Sequence, residues 1–573
     1  MRTARELGLQ TVAVYSEVDR DALHVRYADE AFLLGPAPAA QSYLDVAKIL
    51  AAAARAGADA IHPGYGFLAE NAGFARAVIA AGLLWVGPHP DAIEAMGDKV
   101  RARQAMAAAG VPIVPGATEA LGSVADALRA ADEYGLPLAL KASGGGGGKG
   151  LKVARTRDEI EGAFTTAVRE AQAYFKNPAV YVERYLDNPK HVELQILADK
   201  HGAVVHVGER DCSLQRRHQK LYEETPALVS EHVRVRLREA GLRAARAIDY
   251  DSVGTIETLV SGDQFYFLEM NTRIQVEHTI SEMTSGLDLV REQLRVAAGE
   301  PLGYEQSDIA FRGHAIEVRV NAEDPAENFR PAPGTIAAYR EPAGFGVRVD
   351  AAAEAGTTIA PDYDSLIAKL IVWAPTRDQA RARLDRAIDD YAIAGVPTTL
   401  PFLRALSGTS SVADGTYGTA TLERFARTWH PAESVPADAD HGSTSASACT
   451  PSELMRVEVN GKLFSVRLLD RAQLQPHADG ARPGLAPAPR ANRRSANGGG
   501  TPSGNIIVSP MHGVVVEFAV GTGDAVREHQ VIAIVEAMKM MNEIRAHRAG
   551  TVAALHSSVG ASVEANAPLV TLE

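Results

Sequence analysis

Cysteine and long apolar stretches are both scarce in this 573-residue chain. The two cysteines, Cys212 and Cys449, cannot form a disulfide framework and lack the spacing of metal ligands, so we expect a reducing, cytoplasmic compartment. No apolar run approaches the roughly 20 residues of a membrane-spanning helix, and the charged first residues do not form a secretion signal. We therefore expect no association with membranes.

Basic residues are outnumbered by acidic ones, 58 against 71, which gives a formal net charge of −13 at pH 7. This balance disfavours nonspecific binding to nucleic acid. Hydrophobic residues make up 46% of the chain and charged residues 23%, as is usual for a globular protein. Because the chain is too long for a single hydrophobic core, we expect three or four domains.

The pattern of apolar residues predicts an α/β and α+β multidomain fold. In residues 1–95 short apolar strands alternate with alanine-rich helical segments, which indicates a parallel sheet. The α/β pattern continues through residues 96–300, and residues 301–425 indicate a further α+β domain. The expected elements include strands at Thr11–Tyr15, Ala60–His62 and Trp85–Gly87 and a helix at Arg377–Tyr391.

A change of composition at residues 431–504 predicts a flexible linker. Within it, alternating apolar residues around Asn460-Gly461 predict a hairpin at residues 456–468. Residues 470–504 are rich in Pro, Gly, Ala and Arg, and as a random coil they span roughly 30–36 Å root-mean-square.

An internal repeat occupies residues 505–573. Gly513–Glu536 and Gly550–Glu573 align without gaps at an offset of 37 residues, which predicts a small all-β sandwich of two similar halves. Lys539 lies between the halves and between two methionines, where a turn usually has Gly, Asn, Asp or Pro. This region resembles the biotinyl domain, and the resemblance implies covalent biotin on Lys539. A lipoyl domain has the same fold, but its lysine usually lies between an acidic and an aliphatic residue.

A run of five glycines, Gly144–Gly148, lies between strand-like segments at Leu138–Ala142 and Leu151–Ala154. This arrangement predicts a hairpin lid whose backbone can close over phosphate groups. The run is not a P-loop, because neither Ser nor Thr follows Lys149.

Two glutamates, Glu257 and Glu269, flank residues 261–264. If the chain folds back there through a three-residue loop, the two carboxylates face each other. With Asn271 they offer the hard oxygen ligands that Mg²⁺ prefers.

Polar residues alternate at Arg273, Gln275 and Glu277, which predicts one side of an extended strand. Residues 210–220 are dense in Arg, Lys, Gln and His. Since aromatic residues that stack on bases are missing from that run, we expect a nucleotide and oxyanion pocket rather than a nucleic-acid surface.

Residues 1–420 resemble biotin carboxylase, an ATP-grasp enzyme, and the whole chain is similar to the α subunits of bacterial acetyl-/propionyl-CoA carboxylases. The matching segments are 62–67, 96–99, the glycine run, 210–220, 269–278 and 319–325. The resemblance implies covalent biotin, ATP and Mg²⁺ or Mn²⁺ as cofactors. It also implies three kinds of partner: a separate carboxyltransferase β subunit, a biotin protein ligase, and further copies in a homodimer or larger complex.

The resemblance also implies roles for individual residues. In the family, Glu277 matches the general base that deprotonates bicarbonate, and Arg319 matches the residue that stabilises the biotin enolate. Tyr65 falls near bound biotin. The bicarbonate site matches Lys220, Arg273 and the Val276 backbone, and the metal ligands match Glu257, Glu269 and Asn271. The ATP site matches Lys99, Lys141, Gly147, Gly148, Glu183, Leu186, His191, Gln215, His218, Glu257 and Glu269.

Two features depart from the family. Its members begin with one more strand and a turn ahead of the helix that starts here. Because loss of a central parallel strand would expose apolar faces at a cost comparable to a domain's net stability, we expect that the natural chain starts upstream of Met1. Thr279 stands where the family usually has proline.

Two other hypotheses remain open from the sequence. The chain could be an ATP-grasp ligase for another substrate, of the carbamoyl-phosphate type, although the biotinyl resemblance and the Arg319 segment argue against this. Alternatively, the N-terminal departure leaves only the biotin carrier in working order. Bicarbonate-dependent ATP hydrolysis that free biotin stimulates separates these hypotheses from a working biotin carboxylase.

We predict that the chain is biotinylated in cells and that Lys539→Arg is not, because arginine lacks the primary amine that forms the amide with biotin. An avidin blot measures the difference. Lys462→Arg is the control and should retain the full signal. A signal that persists in Lys539→Arg would show that biotin is attached elsewhere.

Overall fold

The computed structural model describes residues 1–117, 119–142, 151–175, 178–217, 219–431, 454–459, 462–467, 505–511, 513–537, 540–564 and 566–573. Two units are distinguished: Met1–Pro431 together with Asn505–Glu573, and Ala432–Gly504. Among the described helices, none combines the length and the apolar character needed to cross a bilayer.

The N-terminal region is α/β, as predicted. Its elements are α1 (Arg2–Glu6), β1 (Val12–Ser16), α2 (Leu23–Tyr27), β2 (Glu30–Gly35), α3 (Val46–Ala56), β3 (Ala60–Ile61), α4 (Ala72–Ala80), β4 (Leu84–Trp85), α5 (Pro90–Gly97) and α6 (Lys99–Ala108). β1 pairs with β2 and β3 with β4, both in parallel. The side chains of Asp45 and Asn71 cap α3 and α4 by accepting backbone N–H bonds. The sequence pattern missed β2.

A three-stranded sheet follows, with α7 (Val124–Tyr134), β5 (Leu138–Ala142), β6 (Leu151–Ala154), α8 (Ile160–Phe175) and β7 (Val180–Arg184). β5 lies in the middle and pairs antiparallel with both neighbours. The predicted hairpin on either side of the glycine run is therefore confirmed. The glycines themselves lie outside the described residues.

The next segment begins the largest sheet. Its elements are β8 (Lys190–Ala198), β9 (Val204–Arg216), β10 (Gln219–Thr225), α9 (Glu231–Ala247), β11 (Val253–Ser261), β12 (Gln264–Asn271), α10 (His278–Ser285) and α11 (Leu289–Ala297). Only Gly262 and Asp263 separate β11 from β12, so the connection has two residues rather than the predicted three. Glu257 and Glu269 lie opposite each other across this hairpin, as predicted.

The segment up to residue 428 adds many short strands and a helical layer. These elements are β13 (His314–Asn321), β14 (Glu323–Asp324), β15 (Arg330–Pro331), β16 (Gly334–Thr335), β17 (Ala338–Arg340), β18 (Val347–Ala351), β19 (Thr358–Ile359), β20 (Leu366–Ala374), α12 (Arg377–Asp390), β21 (Ala392–Ala394), α13 (Leu400–Ser407), α14 (Ser410–Ala413) and α15 (Thr421–Thr428). The predicted helix at Arg377 is confirmed as α12.

One eight-stranded sheet unites these two segments, in the order β12-β11-β8-β9-β10-β13-β20-β18. It therefore continues across the predicted domain boundary at residue 300 through the antiparallel pairing of β10 with β13. A buried ion cluster fixes this junction, because Glu224 on β10 accepts hydrogen bonds from Arg377, Tyr417 and His314. We refer to it as the Glu224 cluster.

A hairpin is described within residues 432–504, formed by β22 (Leu454–Val459) and β23 (Lys462–Arg467), and it confirms the predicted one. The C-terminal strands are β24 (Ile506–Val508), β25 (Gly513–Phe518), β26 (Ala525–Val526), β27 (Val531–Ala537), β28 (Met540–Arg545), β29 (Gly550–Leu555), β30 (Ser562–Val563) and β31 (Pro568–Leu572). They form two four-stranded sheets, β24-β31-β29-β26 and β28-β27-β25-β30. The predicted β-sandwich is confirmed.

Steric contacts require glycine at the first position of each half-repeat. A Cβ on Gly513 would lie 2.4 Å from the carbonyl oxygen of Glu536, and one on Gly550 would lie 2.6 Å from that of Glu573. Each half-repeat thus begins with a glycine packed against the backbone of the glutamate that ends it. Lys539 lies on the connection from β27 to β28, outside the described residues.

His206 on β9 makes the stability of the large sheet sensitive to acid. Its ring stacks on Phe311, and burial together with the charge of Arg238 lowers its pKa from 6.5 to about 4. The native state therefore binds fewer protons than the unfolded state between these values. Stability should fall as pH drops from 6.5 towards 4, by up to roughly 3 kcal/mol.

We predict that His206→Gln reduces this acid-dependent loss. Thermal unfolding of the wild type and of the variant between pH 7.5 and pH 5 measures it. The exposed His232 provides the control, since His232→Gln should retain the wild-type slope. Identical slopes for wild type and His206→Gln would contradict the prediction.

Candidate active site

A buried ammonium group joins three carboxylates at the centre of the large sheet. Lys220 on β10 places Nζ 2.7 Å from Glu277 Oε1 and 3.2 Å from Glu257 Oε1, and it also pairs with Glu193. Glu193 and Glu257 lie opposite each other on β8 and β11. Burial alone would lower the pKa of Lys220, but the three carboxylates raise it well above its ordinary value. Lys220 is therefore a permanent cation.

Glu277 is held between two cations. Its other oxygen, Oε2, accepts a hydrogen bond from Arg319 Nη2 at 2.8 Å, while Arg319 Nε donates to Glu223 at 2.8 Å. Burial would raise the pKa of Glu277, but the charges of Lys220, Arg319 and Arg210 hold it well below its usual range. The residue is a carboxylate at neutral pH, which is the form that can accept a proton.

A second carboxylate, Glu257, collects neutral and charged donors. Oε2 lies 2.9 Å from His191 Nε2, and Oε1 accepts from Asn271 Nδ2 at 2.9 Å and from Gln275 Nε2 at 2.8 Å. Burial opposes ionisation of Glu257, but Lys220 and His191 lower its pKa. His191, Glu193 and Glu257 offer ligand atoms that all lie within 4.8 Å of one another.

The predicted metal ligands fit a hard divalent cation. Glu257 and Glu269 face each other across β11 and β12, and Asn271 ends the same strand as Glu269. Two carboxylates and an amide oxygen are typical Mg²⁺ ligands. His191 and Glu193 extend this donor set on the neighbouring strand.

The predicted strand through Arg273, Gln275 and Glu277 is wrong. β12 ends at Asn271, and the chain then turns into α10 at His278. The three side chains consequently diverge. Gln275 donates to Glu257, and Glu277 accepts from Lys220. Arg273 instead donates from Nη2 to Asn271 Oδ1 at 2.8 Å, and its Nε lies 3.2 Å from Glu70 Oε2.

Arg210 has a different role from the one that its basic surroundings suggested. It is completely buried, and its guanidinium donates to Gln195 and Gln275 at 2.6 and 2.8 Å and to Ser281, Thr255 and Glu193 at 3.1 to 3.2 Å. Because protein acceptors already bind this buried guanidinium, it cannot bind a substrate. Arg210 is a structural cation that holds the side chains of Glu193 and Gln275 in position.

The nucleotide side shows one further contact among the predicted residues. Lys141 on β5 pairs with Glu183 on β7, which also accepts from Arg103 Nη1 at 2.9 Å. Gln215 lies opposite Lys220 across β9 and β10, Leu186 is half-buried beyond β7, and Tyr65 is 44% exposed. The Val276 carbonyl accepts from Lys369. Gly147, Gly148, His218 and Lys539 lie outside the described residues, as does the side chain of Lys99.

Sequence reasoning missed several residues that complete the site: Glu193, Glu223, Glu70 and Lys369. For Glu193 a signal was present, because it follows His191 at a spacing of two on β8 and must share its face. Glu223 lies on β10 and Lys369 on β20, the two strands on either side of β13 and its Arg319, so their relevance depends on the order of strands in the sheet. Glu70 comes from the N-terminal region, about 200 residues away in sequence from the turn that it contacts.

Together these groups indicate an enzyme of the ligase class. A carboxylate between two cations suits proton removal from a small oxyanion, and the adjacent hard-ligand set suits a metal–nucleotide complex.

Family models match four segments: Biotin carboxylase, N-terminal domain at residues 1–93; Carbamoyl-phosphate synthase L chain, ATP binding domain at 98–305; Biotin carboxylase C-terminal domain at 317–424; and Biotin-requiring enzyme at 505–572.

Two relatives extend the match. A biotin-dependent acyl-coenzyme A carboxylase alpha3 subunit of Mycobacterium leprae is 43% identical over 98% of this chain and 94% of its own length. Biotin carboxylase 1 of Bacillus subtilis is 50% identical over 74% of this chain and 95% of its own. The chain therefore belongs to the biotin carboxylase family and joins that enzyme to a biotinyl domain.

Solved structures agree. A biotin carboxylase–β,γ-ATP complex from Campylobacter jejuni is 44% identical with a TM-score of 0.70, and it covers 74% of this chain and 95% of its own. The biotin carboxylase domain of Hydrogenobacter thermophilus 2-oxoglutarate carboxylase, with MgADP and bicarbonate, is 48% identical with a TM-score of 0.68, over 74% and 94%. The chain is an ATP-dependent ligase that carboxylates biotin, and it carries biotin covalently.

Proposed function

We propose that this chain carboxylates the biotin on its own Lys539 and passes the carboxyl group to a separate carboxyltransferase β subunit that acts on an acyl-CoA. The observation that carries the proposal is the placement of Glu277 between Lys220 and Arg319, next to the Glu257–Glu269 pair. The similarity to an acyl-coenzyme A carboxylase subunit over nearly the whole chain supports the choice of acceptor.

Glu277 acts as the base that removes the proton of bicarbonate. In the free site its pKa is too low for efficient proton transfer, because Lys220 and Arg319 both bind it. A bicarbonate anion that binds Lys220, Arg273 and the Val276 amide competes for the Lys220 charge and adds its own negative charge. Both effects raise the pKa of Glu277 towards the range in which a general base works.

The deprotonated bicarbonate then attacks the γ-phosphate of ATP, which forms carboxyphosphate and releases ADP. Lys99, Lys141, Gly147, Gly148 and His218 are proposed to bind the nucleotide, together with Glu183, Leu186, His191 and Gln215. Glu257, Glu269 and Asn271 would hold Mg²⁺ or Mn²⁺, which neutralises phosphate charge when bound.

Arg319 serves the second step, in which carboxyphosphate breaks down to CO₂ and phosphate. The phosphate takes the proton of the biotin ureido nitrogen, and the nitrogen then attacks CO₂ to form carboxybiotin. Burial would lower the pKa of Arg319, but Glu223 and Glu277 raise it, so the guanidinium stays charged and can stabilise the negative ureido oxygen. Tyr65 is proposed to contact the biotin ring. The linker holds Lys539 near the site at an effective concentration on the order of millimolar.

The finer partnerships follow from this chemistry. A biotin protein ligase must attach the prosthetic group to Lys539, and the chain assembles as a homodimer or within a larger complex with the β subunit. We place the reaction in the cytoplasm. Purification with the natural β subunit and assay of acetyl-, propionyl- and longer acyl-CoAs identifies the acceptor.

We predict that the purified biotinylated chain hydrolyses ATP only with bicarbonate, and that free biotin stimulates this hydrolysis. Glu277→Gln should lower kcat by about 10²- to 10⁴-fold, because the amide cannot accept the proton. The release of phosphate measures both effects.

The matched control is Glu224→Gln, which removes an equally buried carboxylate from the Glu224 cluster on the same strand as Lys220. It should lower the unfolding temperature and retain most activity at a temperature where it is folded. If biotin gives no stimulation, or if Glu277→Gln keeps wild-type turnover, the proposed function fails.

A further inference from the structure

Lys369 is a buried cation to which the proposed reaction assigns no role. It lies on β20, is 5% exposed, and its Nζ donates to the carbonyl oxygen of Val276 at 2.7 Å. The nearest carboxylate oxygen recorded for it, Asp350 Oδ2, is 3.6 Å away. A buried ammonium group costs several kcal/mol of desolvation unless it is well compensated. The short bond to a main-chain carbonyl therefore calls for a functional reason.

The position of Lys369 in the sheet links it to Arg319. The two residues lie directly opposite each other on β20 and β13, and directly opposite residues share a face of the sheet. Arg319 binds the Glu277 carboxylate, and Lys369 binds the carbonyl of the preceding residue, Val276. Two neighbouring cations thus hold two consecutive residues, Val276 through its main-chain carbonyl and Glu277 through its side chain.

The turn that carries Glu277 needs such a restraint. Glu277 immediately precedes α10, and its side chain does not cap that helix. The turn closes through 3.3 Å bonds from the His278 and Ile280 amides to the Gln275 and Glu277 carbonyls. The carbonyl between these two, that of Val276, is bound by Lys369.

Further charges connect Lys369 to the body of α10. Asp350 lies opposite Lys369 on β18 and accepts two bonds from Arg348, whose Nη1 donates to Glu282 on α10 at 2.7 Å. The sheet therefore contacts the turn through Lys369, and it contacts the following helix, α10, through Arg348. These contacts restrain the Val276 carbonyl and the body of α10.

We propose that Lys369 is a positioning residue that holds the Val276 carbonyl, and through it the main chain at Val276 and Glu277, so that the Val276 N–H and the Glu277 carboxylate meet bicarbonate together. The proposal rests on the roles proposed above for Val276 and Glu277. Loss of Lys369 should affect bicarbonate and leave the nucleotide largely alone, because none of the predicted ATP residues that the structure describes lies on β20 or in the turn after β12.

The test is steady-state kinetics of the full biotinylated chain with Lys369→Met, which keeps the length of the side chain and removes the charge. Misplacement of a reacting group by about 1 Å can cost about 100-fold. We expect kcat/KM for bicarbonate to fall by about 10- to 100-fold, with a change in KM for ATP of less than about twofold. Lys369→Arg, which retains a charged donor, should recover part of the loss.

Arg377→Met is the matched control, since it removes another cation that binds buried groups, in the Glu224 cluster, without touching the turn. It should lower the unfolding temperature with both KM values unchanged. The proposal is overturned if Lys369→Met keeps wild-type kcat/KM for bicarbonate, or if its KM values for ATP and bicarbonate rise together. If Lys369→Met does not fold, Lys369→Gln, which keeps a neutral donor, is judged by the same ratio.

Glu277→Gln in the same assay separates this proposal from the proposed function. If Glu277→Gln remains active, the assignment of the base fails whatever Lys369 does. If Glu277→Gln is inactive and Lys369→Met is unimpaired with bicarbonate, only the positioning role fails.

Discussion

The ammonium group of Lys220 is the interaction on which the site depends. Three buried carboxylates, those of Glu193, Glu257 and Glu277, converge on it from two adjacent strands and a turn. In a low-dielectric interior their mutual repulsion would force protonation or separation if the cation were absent. Removal of one partner from such a cluster costs about 3–5 kcal/mol, so the cluster also holds the register of the strands that build it. Stability and catalysis are therefore linked at this point.

The part of the site that could be predicted from sequence is the part that lies within one hairpin. Glu257 and Glu269 belong to one hairpin, so their pairing follows from strand alternation and a short connection. Glu193 faces Glu257 equally closely, but from β8, more than 60 residues earlier in the chain. Nothing in the local sequence states that β8 lies beside β11. The order of strands in a sheet is a global property, and the missed residues are those that depend on it.

The turn after β12 shows a second limit. Arg273, Gln275 and Glu277 have the period of a strand, yet the chain turns there because α10 must begin at His278. A polar alternation over five residues cannot distinguish a strand from a turn whose side chains are drawn to buried partners. Lys369 left even less of a signal, because its partner is a main-chain carbonyl, which every residue has. By contrast, the β-sandwich was predictable from Gly513 and Gly550, since each meets a backbone contact that only glycine allows.

The protonation state of Glu223, which accepts a hydrogen bond from Arg319, determines how strongly the positive charge of Arg319 acts on the reacting groups. Glu223 is fully buried and lies opposite a second buried carboxylate, Glu317, across β10 and β13. Burial, together with the charges of Glu317 and Glu277, raises the pKa of Glu223 to about 8, against the opposing charge of Arg319. A raised pKa favours protonation of Glu223, and the protonated form opposes the charge of Arg319 less than a carboxylate does.

When Glu223 is protonated, it orients the guanidinium without cancelling its charge. An ionised carboxylate at the same 2.8 Å would form a full ion pair and weaken the attraction of Arg319 for any other anion. Thr279 contributes here, because its hydroxyl donates to Glu317, a bond that proline at this position could not make. The departure from the family pattern thus adds a neutral donor to this carboxyl pair. The positive charge of Arg319 stays directed at Glu277 and at the position where negative charge develops on biotin.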